Sequence, residues 1–321
     1  MTDSPRPKRV LALCYSQTGQ LARIADRMLA PLREKEGIDL HVEVLRPAGD
    51  YPFPWPFLRF FDTFPETVHA SPAPLAPLAL TGDEDFDLVI VFYQVWFLAP
   101  AQPITAFLQD PVAARLLKDK PVVTVIACRN MWLLAQEKMK AMLDRLGARL
   151  LDNVVLVDPS PTMASLLTTP LWMLTGKRDV IRSLPPAGVD EASITATRRF
   201  GAALVDALAR DAERGKAPLL VGLRAVDANP HLIFSEKAAT RSFYLWGKLL
   251  RAVGGPGQWR RYPVLALYIA FLITLVLTVV PVSLLVQALL RPFTRTRFAQ
   301  LKTRFDAPSG SGAERMHLYG Q

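Results

Sequence analysis

The residues best suited to chemistry form a short polar turn near the N-terminus, Ser16-Gln17-Thr18-Gly19-Gln20. An apolar run over residues 10–15 precedes the turn, and apolar residues recur at helical spacing from Leu21 to Leu29. This pattern predicts a buried strand, a tight loop and an amphipathic helix. Amides at a helix start and the hydroxyls of Ser16 and Thr18 are donors that suit a phosphate monoester. A capped helix without any ligand would show the same pattern.

The turn differs from two common nucleotide-binding motifs. It has neither the three spaced glycines of the dinucleotide fingerprint nor the Gly-Lys-Ser/Thr ending of the Walker loop. Because it contains no lysine, neutral donors would have to carry the phosphate. The candidate phosphate-binding residues are Ser16, Gln17, Thr18, Gly19, Gln20 and Leu21.

The elements that must position this turn alternate between strand and helix. Apolar runs at 40–45, 87–93, 121–128 and 153–158 add four strands to the first one, and helical patterns separate most of them. Nearly continuous apolar strands are typical of a parallel sheet that is covered on both faces. We therefore predict an α/β fold, a doubly wound five-stranded parallel sheet in the order 2-1-3-4-5.

In that strand order, the loops that leave strands one, three and four meet at the carboxyl edge of the sheet. The second loop comprises Gln94, Val95, Trp96, Phe97, Leu98 and Ala99, and the third comprises Cys128, Arg129, Asn130, Met131 and Trp132. Aromatic side chains stack on planar rings, and backbone amides can meet the heteroatoms of such a ring. A phosphate turn beside two aromatic-bearing loops predicts FMN as the cofactor.

The location of the charge argues against nucleic-acid binding, and the two cysteines indicate the redox compartment. The net charge is +9, but ten basic and no acidic residues lie between Arg241 and Phe305, so the remainder has 28 basic against 29 acidic residues. The basicity therefore belongs to a C-terminal segment and does not indicate a nucleic-acid-binding face. Two cysteines, Cys14 and Cys128, at the ends of predicted strands indicate a reducing compartment, and we predict no metal site.

A long uncharged segment covers residues 262–290. As one helix it would extend ~43 Å, against a hydrocarbon core of ~30 Å, so we expect it to associate with a membrane. Two topologies remain open. One tilted span would place the last thirty residues across the membrane, whereas a re-entrant or monotopic insertion would keep both basic flanks in the cytoplasm.

These features divide the chain into four parts. Residues 1–215 form the predicted FMN-binding domain, with inserts at 47–84 and 159–189. Residues 216–261 are a basic and apolar connector that is compatible with an interfacial helix. Residues 262–290 are the membrane segment, and residues 291–321 are a basic stretch followed by a flexible, Gly- and Ser-rich tail.

The chain resembles the flavodoxin-like superfamily over about residues 8–158 and 190–214. The resemblance is carried by Ser16-x-Thr18-Gly19-x and by Tyr93–Pro100 followed by a helix. The hydroxyl that is frequent at the sixth position of the turn is absent, since Leu21 stands there. This resemblance implies the same fold and the same cofactor, FMN.

A closer resemblance covers most of the chain. The stretches Tyr15–Leu21, Phe53–Phe57, Phe60–Glu66 and Cys128–Trp132 are similar to dialkylresorcinol biosynthesis proteins, often labelled "dialkylresorcinol condensing enzyme". The resemblance implies an aromatase that works beside a ketosynthase and converts a 2,5-dialkylcyclohexane-1,3-dione into a dialkylresorcinol. The sequence has no Cys-His-His or Cys-His-Asn arrangement of a condensing enzyme.

Aromatisation removes two hydrogens, which a flavin can accept, and a modest general base would suffice. Candidate bases in the aromatic insert are Asp62, Glu66 and His69. We expect a lipophilic small-molecule substrate and a location on the cytoplasmic face of the inner membrane, without nucleic acid. Two alternatives stay open, a membrane-associated NAD(P)H:quinone reductase and a flavin-free membrane scaffold.

Overall fold

The computed structural model describes residues 6–49, 51–290 and 295–320, and the side chains of 279–290 and 295 are outside that description. Its centre is one six-stranded sheet, whose strands are β1 (Lys8–Cys14), β2 (Ile38–Val44), β3 (Leu88–Trp96), β4 (Ala99–Pro100), β5 (Pro121–Cys128) and β6 (Arg149–Val157). Five of the strands lie in the order β2-β1-β3-β5-β6, and the short β4 pairs with β3 outside this order.

The strand order of the five long strands is the predicted flavodoxin-like order, and all their pairings are parallel. The prediction of five strands is wrong by one, because the two-residue β4 pairs antiparallel with the end of β3. Sequence periodicity misses so short a strand, since a hairpin return of two residues has no alternation to detect.

Helices cover the sheet and form the connections. Before β6 these are α1 (Gln20–Glu34), α2 (Phe57–Asp62), α3 (Phe64–Val68), α4 (Gln102–Gln109), α5 (Pro111–Leu117) and α6 (Leu133–Arg145). After it come α7 (Thr162–Thr175), α8 (Glu191–Ala196), α9 (Arg198–Leu208), α10 (Ile233–Val253), α11 (Tyr262–Leu290) and α12 (Arg295–Asp306). Helices α2 and α3 lie in the first predicted insert, and α7 lies in the second.

The core explains the unbroken apolar strands. The first six residues of β3 and the first seven of β5 are fully buried, as parallel strands flanked by helices must be. The two cysteines are free. Strand β3 lies between the strands that carry them, with Cys14 buried at the end of β1 and Cys128 half-buried at the end of β5.

The C-terminal residues contradict the prediction of a flexible tail. Ser309 is fully buried, donates a hydrogen bond to Oδ1 of Asp152 and accepts one from the amide of Asn153. Asp306 accepts a hydrogen bond from the amide of Ala228. Ser309 is therefore packed on β6, and Asp306 is held by the segment that precedes α10. The predicted connector at 216–261 contains the 21-residue helix α10.

Candidate cofactor site at the carboxyl edge of the sheet

The first loop has the backbone expected of a close-approach turn. Gly19 precedes α1 with φ 78° and ψ −15°, and a Cβ added there would meet no atom within 4 Å. The side chain of Gln20 is buried and exchanges two 3.0 Å hydrogen bonds with the main chain of Val189. Leu21 is in the core. The donors that the loop can offer to a ligand are therefore the hydroxyls of Ser16 and Thr18 and the main-chain amides before α1.

The second loop is a tight hairpin instead of an open loop. Val95 lies opposite Pro100 and Trp96 opposite Ala99, so the turn consists of Phe97 and Leu98 with φ of 49° and 61°. Phe97 turns away from the sheet edge and packs with Phe64 and Phe243 of a second apolar cluster. Gln94 stays at the edge, opposite Ala127 of β5.

The third loop follows β5 and is held by the neighbouring strand end. The amide of Asp158 donates to the carbonyl oxygens of both Cys128 and Arg129. Trp132 is only 2% exposed, so its ring is part of the core and offers no face to a flavin. This corrects its expected stacking role, because Trp132 is the N-cap residue just before α6 and its ring is buried in the core.

Each of the three loops carries one buried polar atom that has no hydrogen-bond partner within the part of the chain that the structure describes. These atoms are the Oγ of Ser16, the Oε1 of Gln94 and the Oδ1 of Asn130. Buried polar groups are nearly always hydrogen-bonded, and leaving one unpaired costs about 1–3 kcal/mol. Nine buried polar atoms of the described residues lack a partner, and three of them lie one on each predicted cofactor loop, where a bound ligand would supply the partners. The donor and acceptor set fits FMN.

Aromatic rings form one wall of this edge. Trp96 contacts Tyr15, Tyr51 and Trp55 in edge-to-face geometry, with centroid distances of 5.9, 5.2 and 6.0 Å. Tyr51 donates a 2.6 Å hydrogen bond to Gln102, and burial raises its pKa to about 12. A cleft of about 470 Å³ opens beside them, lined by Tyr15, Ser16, Gln17, Pro47, Ala48, Gly49 and Tyr51.

The two inserts meet over the first loop. The amide of Trp55 donates to the carbonyl of Met173 at 2.8 Å, and Phe53 packs edge-to-face against Trp172. Below them, Gln17 donates to the carbonyl of Pro52. The inserts therefore form a largely apolar roof over the carboxyl edge of the sheet.

The three candidate bases lie elsewhere. Asp62 and Glu66 both bind the guanidinium of Arg261, which is 1% exposed, and the amide of Gly257 donates to Asp62 at 2.6 Å. His69 meets the carbonyl of Tyr244 at 3.1 Å and stacks on its ring. All three join the first insert to the C-terminal helices. These partners favour a structural role for all three residues. Burial raises the pKa of Asp62 and lowers the pKa of His69.

Sequence patterns missed several residues of the site. Ser160 and Thr168, in the second insert, also carry buried hydroxyls without partners. Tyr51 and Trp55, in the first insert, pack on Trp96 of the second loop. The available signal was the aromatic density of the first insert. Among the described residues, no group of three His, Cys, Asp or Glu side chains could hold a metal ion, and the absence of a metal site stays a prediction.

The solved structures to which the chain is similar include flavodoxins and flavoproteins. A Lactobacillus acidophilus flavoprotein in complex with FMN has a TM-score of 0.35 and 15% identity over 46% of this chain and 93% of its own. Oxidised flavodoxin 1 from Bacillus cereus has a TM-score of 0.33 and 13% identity over 62% of this chain and 98% of its own. The Bacillus subtilis Trp repressor binding protein has a TM-score of 0.30 and 11% identity over 60% of this chain and 99% of its own.

No protein-family model and no curated protein matches the chain. At such low identities and TM-scores, the solved structures say nothing about activity. The flavodoxin-like fold rests on the strand order itself.

Proposed function

We propose that the protein is an FMN-dependent oxidoreductase that acts on a lipophilic substrate at a membrane. The observation that supports this most directly is the set of unpartnered polar atoms on Ser16, Gln94 and Asn130. Ser16, Thr18 and the amides before α1 would hold the phosphate, and Gln94 and Asn130 would meet polar atoms of the ring. Trp96 would contribute an aromatic contact.

The most specific form of the proposal is aromatisation of a 2,5-dialkylcyclohexane-1,3-dione, as the resemblance implies. FMN, when bound, supplies a two-electron acceptor. A proton beside a carbonyl leaves to a base, a hydride leaves the adjacent ring carbon, and the product tautomerises to the resorcinol. The chain would orient the ring at the sheet edge and exclude water under the two inserts.

The roof suits a substrate with alkyl chains. Phe57, Leu58, Met163 and Leu167 of α2 and α7 are 48%, 43%, 52% and 57% exposed, which leaves an apolar surface around the roof. Alkyl chains gain about 0.8 kcal/mol per buried CH₂, so such a surface would hold them. A ketosynthase that makes the dione would be the natural partner.

Membrane attachment is proposed through α10 and α11. Residues Trp259–Thr278 have a mean hydropathy of 1.8, and only 22% of their most apolar window is buried. The outer side of α10 exposes Lys237, Arg241 and Lys248 beside Leu245 and Leu249, a pattern typical of interfacial helices.

The packing of the C-terminal residues favours the monotopic topology over one span. Arg261, just before α11, is bound to Asp62 and Glu66, and Ser309, beyond it, is bound to Asp152. The segments before and after α11 are therefore both packed on the same domain. A single crossing would place these two segments on opposite sides of the bilayer, so α11 would insert from one side, the cytoplasmic one, without crossing.

The experiment is an anaerobic assay on detergent-solubilised protein loaded with FMN. Addition of a 2,5-dialkylcyclohexane-1,3-dione should bleach the flavin band and yield one resorcinol per flavin reduced. Rapid NAD(P)H oxidation with a quinone, without any effect of the dione, would support the quinone reductase instead. Failure of the protein to retain FMN would overturn both and leave the scaffold.

A further inference from the structure

The outer face of α10 carries basic and apolar side chains and no acid. Its exposed residues recur at helical spacing, so they form one continuous stripe along the helix. The residues that define this outer face are Lys237, Arg241, Tyr244, Leu245, Lys248 and Leu249. The single acid of the helix, Glu236, is fully buried on the other side, where it accepts hydrogen bonds from the amides of Leu133 and Leu134. The positive charge of the outer face is therefore not offset within the helix.

The three cations of the outer face also have no ion-pair partner among the described residues. Other cations of the C-terminal helices are neutralised inside the protein. Lys302 binds Asp306, and Arg304 binds Glu137. The basic C-terminal segment thus contains cations that hold the fold together and, on α10, cations that the rest of the chain does not use.

Apolar side chains lie between these cations. Tyr244, Leu245 and Leu249 are 52%, 66% and 47% exposed. The apolar surface continues onto the start of α11, because Trp246 packs against Phe271 of that helix with a centroid distance of 5.4 Å. A helix face that is basic and apolar at once, and continuous with a long apolar helix, is typical of the interface of a bilayer.

The inner face of α10 fixes how the outer face is presented. Gly247 and Leu250 are buried against the first insert. A Cβ added to Gly247 would lie 3.1 Å from side-chain atoms of both Val68 and His69, so the backbone of α10 approaches α3 closely. The outer face therefore belongs to a helix that is packed onto the domain.

We propose that the outer face of α10 docks on an anionic phospholipid surface, with its three cations at the phosphates and its apolar side chains at the acyl boundary. This inference rests on the proposed membrane attachment and adds the class of lipid. Anionic headgroups supply the missing negative charge, and acyl chains cover the leucines. A second copy would bring the same cations to a symmetric contact, and nucleic acid would leave the leucines in water.

The test follows a probe at Leu245 in full-length protein reconstituted into vesicles. Leu245→Cys is labelled with a nitrobenzoxadiazole dye, and acrylamide, a neutral quencher, measures the ratio of shielded to open probe. The vesicles contain phosphatidylcholine alone or an equal mixture of phosphatidylcholine and phosphatidylglycerol. The same measurement is made after adding the triple substitution Lys237→Gln, Arg241→Gln and Lys248→Gln. Protein without Leu245→Cys, labelled in parallel, gives the background of the native cysteines.

A matched triple substitution controls for the loss of charge. Arg27→Gln, Lys35→Gln and Lys118→Gln remove three exposed cations from the sheet domain, and these cations likewise have no ion-pair partner among the described residues. This control should show the same shielding as the parent protein in both kinds of vesicle.

The probe should be shielded on the mixed vesicles and open on phosphatidylcholine. Each cation near an anionic surface is worth about fivefold in the docking equilibrium, so the α10 triple substitution should lower the shielded-to-open ratio on the order of 100-fold. Salt at about 1 M should have the same effect, because it shortens the Debye length to ~3 Å.

Equal shielding of the parent protein on both kinds of vesicle, or an unchanged ratio in the α10 triple variant, would overturn the anionic docking surface. Shielding in detergent that rises with protein concentration would assign the face to a second copy and would also overturn it.

Flotation of the vesicles separates this inference from the proposed function. Protein that floats with both kinds of vesicle while its probe stays open keeps the membrane attachment and loses the docking surface. Protein that floats with neither loses both. If the probe is shielded as expected but the protein retains no FMN, the docking surface stands and the oxidoreductase proposal fails.

Discussion

Arg261 and Glu66 form a two-point ion pair, with Nη2 to Oε1 at 2.7 Å and Nη1 to Oε2 at 3.2 Å. The same guanidinium meets Asp62 at 3.2 Å and the carbonyl of Gly254 at 2.7 Å. The first insert is thereby tied to the start of the apolar helix α11, 195 residues further along the chain. The roof of the proposed site and the membrane segment are joined at this point.

Arg261→Met should unfold or strongly destabilise the protein, because two buried carboxylates lose their partner. Breaking one buried pair costs about 3–5 kcal/mol, and a thermal melt in detergent measures the loss. Glu66→Gln should lower the melting temperature but retain most of the turnover of FMN-loaded protein. A folded, FMN-loaded Glu66→Gln protein with turnover abolished would restore Glu66 as the general base.

Gly19→Ala tests the phosphate turn. Its φ of 78° is strained for alanine by about 1–2 kcal/mol, and the loop would relieve that strain by moving. Gly37→Ala is a matched control, since Gly37 has φ 83° and likewise no atom within 4 Å of an added Cβ. Both variants should lose similar stability, whereas only Gly19→Ala should lower FMN affinity, by roughly tenfold. Equal FMN affinity in the two variants would remove Gly19 from the site.

Ser16→Ala and Asn130→Leu should act in opposite directions on the apo and loaded protein. Each removes an unpaired buried polar group, so the free energy of unfolding without FMN should stay constant or rise by up to about 1 kcal/mol. The FMN dissociation constant should rise about 3- to 10-fold, since a hydrogen bond to the ligand is lost. Ser193→Ala removes a 2.8 Å hydrogen bond to Asp190, so it should lower the free energy of unfolding and leave the FMN dissociation constant unchanged.

The buried carboxyl of Glu236 should make stability depend on pH. Burial raises its pKa from the ordinary 4.5 to about 7, although it accepts hydrogen bonds from the amides of Leu133 and Leu134. Its contribution is complete below pH 4.5 and is lost as pH rises through 7, on the order of 3 kcal/mol. The stability of Glu236→Gln should therefore vary less between pH 5 and about 7. Parallel pH profiles for wild type and variant would contradict this.

The monotopic topology predicts that both ends of the chain face one side of the membrane. His317 and Arg27 are exposed, on the C-terminal residues and on α1. His317→Cys and Arg27→Cys should both resist an impermeant maleimide in spheroplasts and both react after permeabilisation. Wild-type protein treated in the same way gives the background labelling of the native cysteines, the buried Cys14 and the half-buried Cys128. Labelling of His317→Cys alone in intact spheroplasts would establish a single span.

Local patterns predicted the sheet well, because each parallel strand is a buried apolar run whose meaning does not depend on distant residues. The three loops followed from the strand order. Contacts between distant segments were not predictable, and the clasp between Gln20 and Val189 is one example. Ser309 is a second example. A Gly- and Ser-rich composition predicts a solvated tail, and its hydrogen bond to the distant Asp152 has no signal in the local sequence.

The partners of the candidate bases could not be predicted for a related reason. Asp62 and Glu66 stand in an aromatic insert and have no local partner in sequence, so a catalytic role was the natural interpretation. Arg261 is far away along the chain and lies at the edge of a segment interpreted as membrane anchor. Only the folded arrangement shows that it neutralises both carboxylates.

The most direct test of the central claim is retention of FMN by the detergent-solubilised chain. Protein incubated with excess FMN and passed through gel filtration should elute yellow, with about one flavin per chain. The variants Ser16→Ala and Asn130→Leu should retain less flavin. A colourless wild-type protein that is folded by circular dichroism would contradict the assignment of the sheet edge as a flavin site.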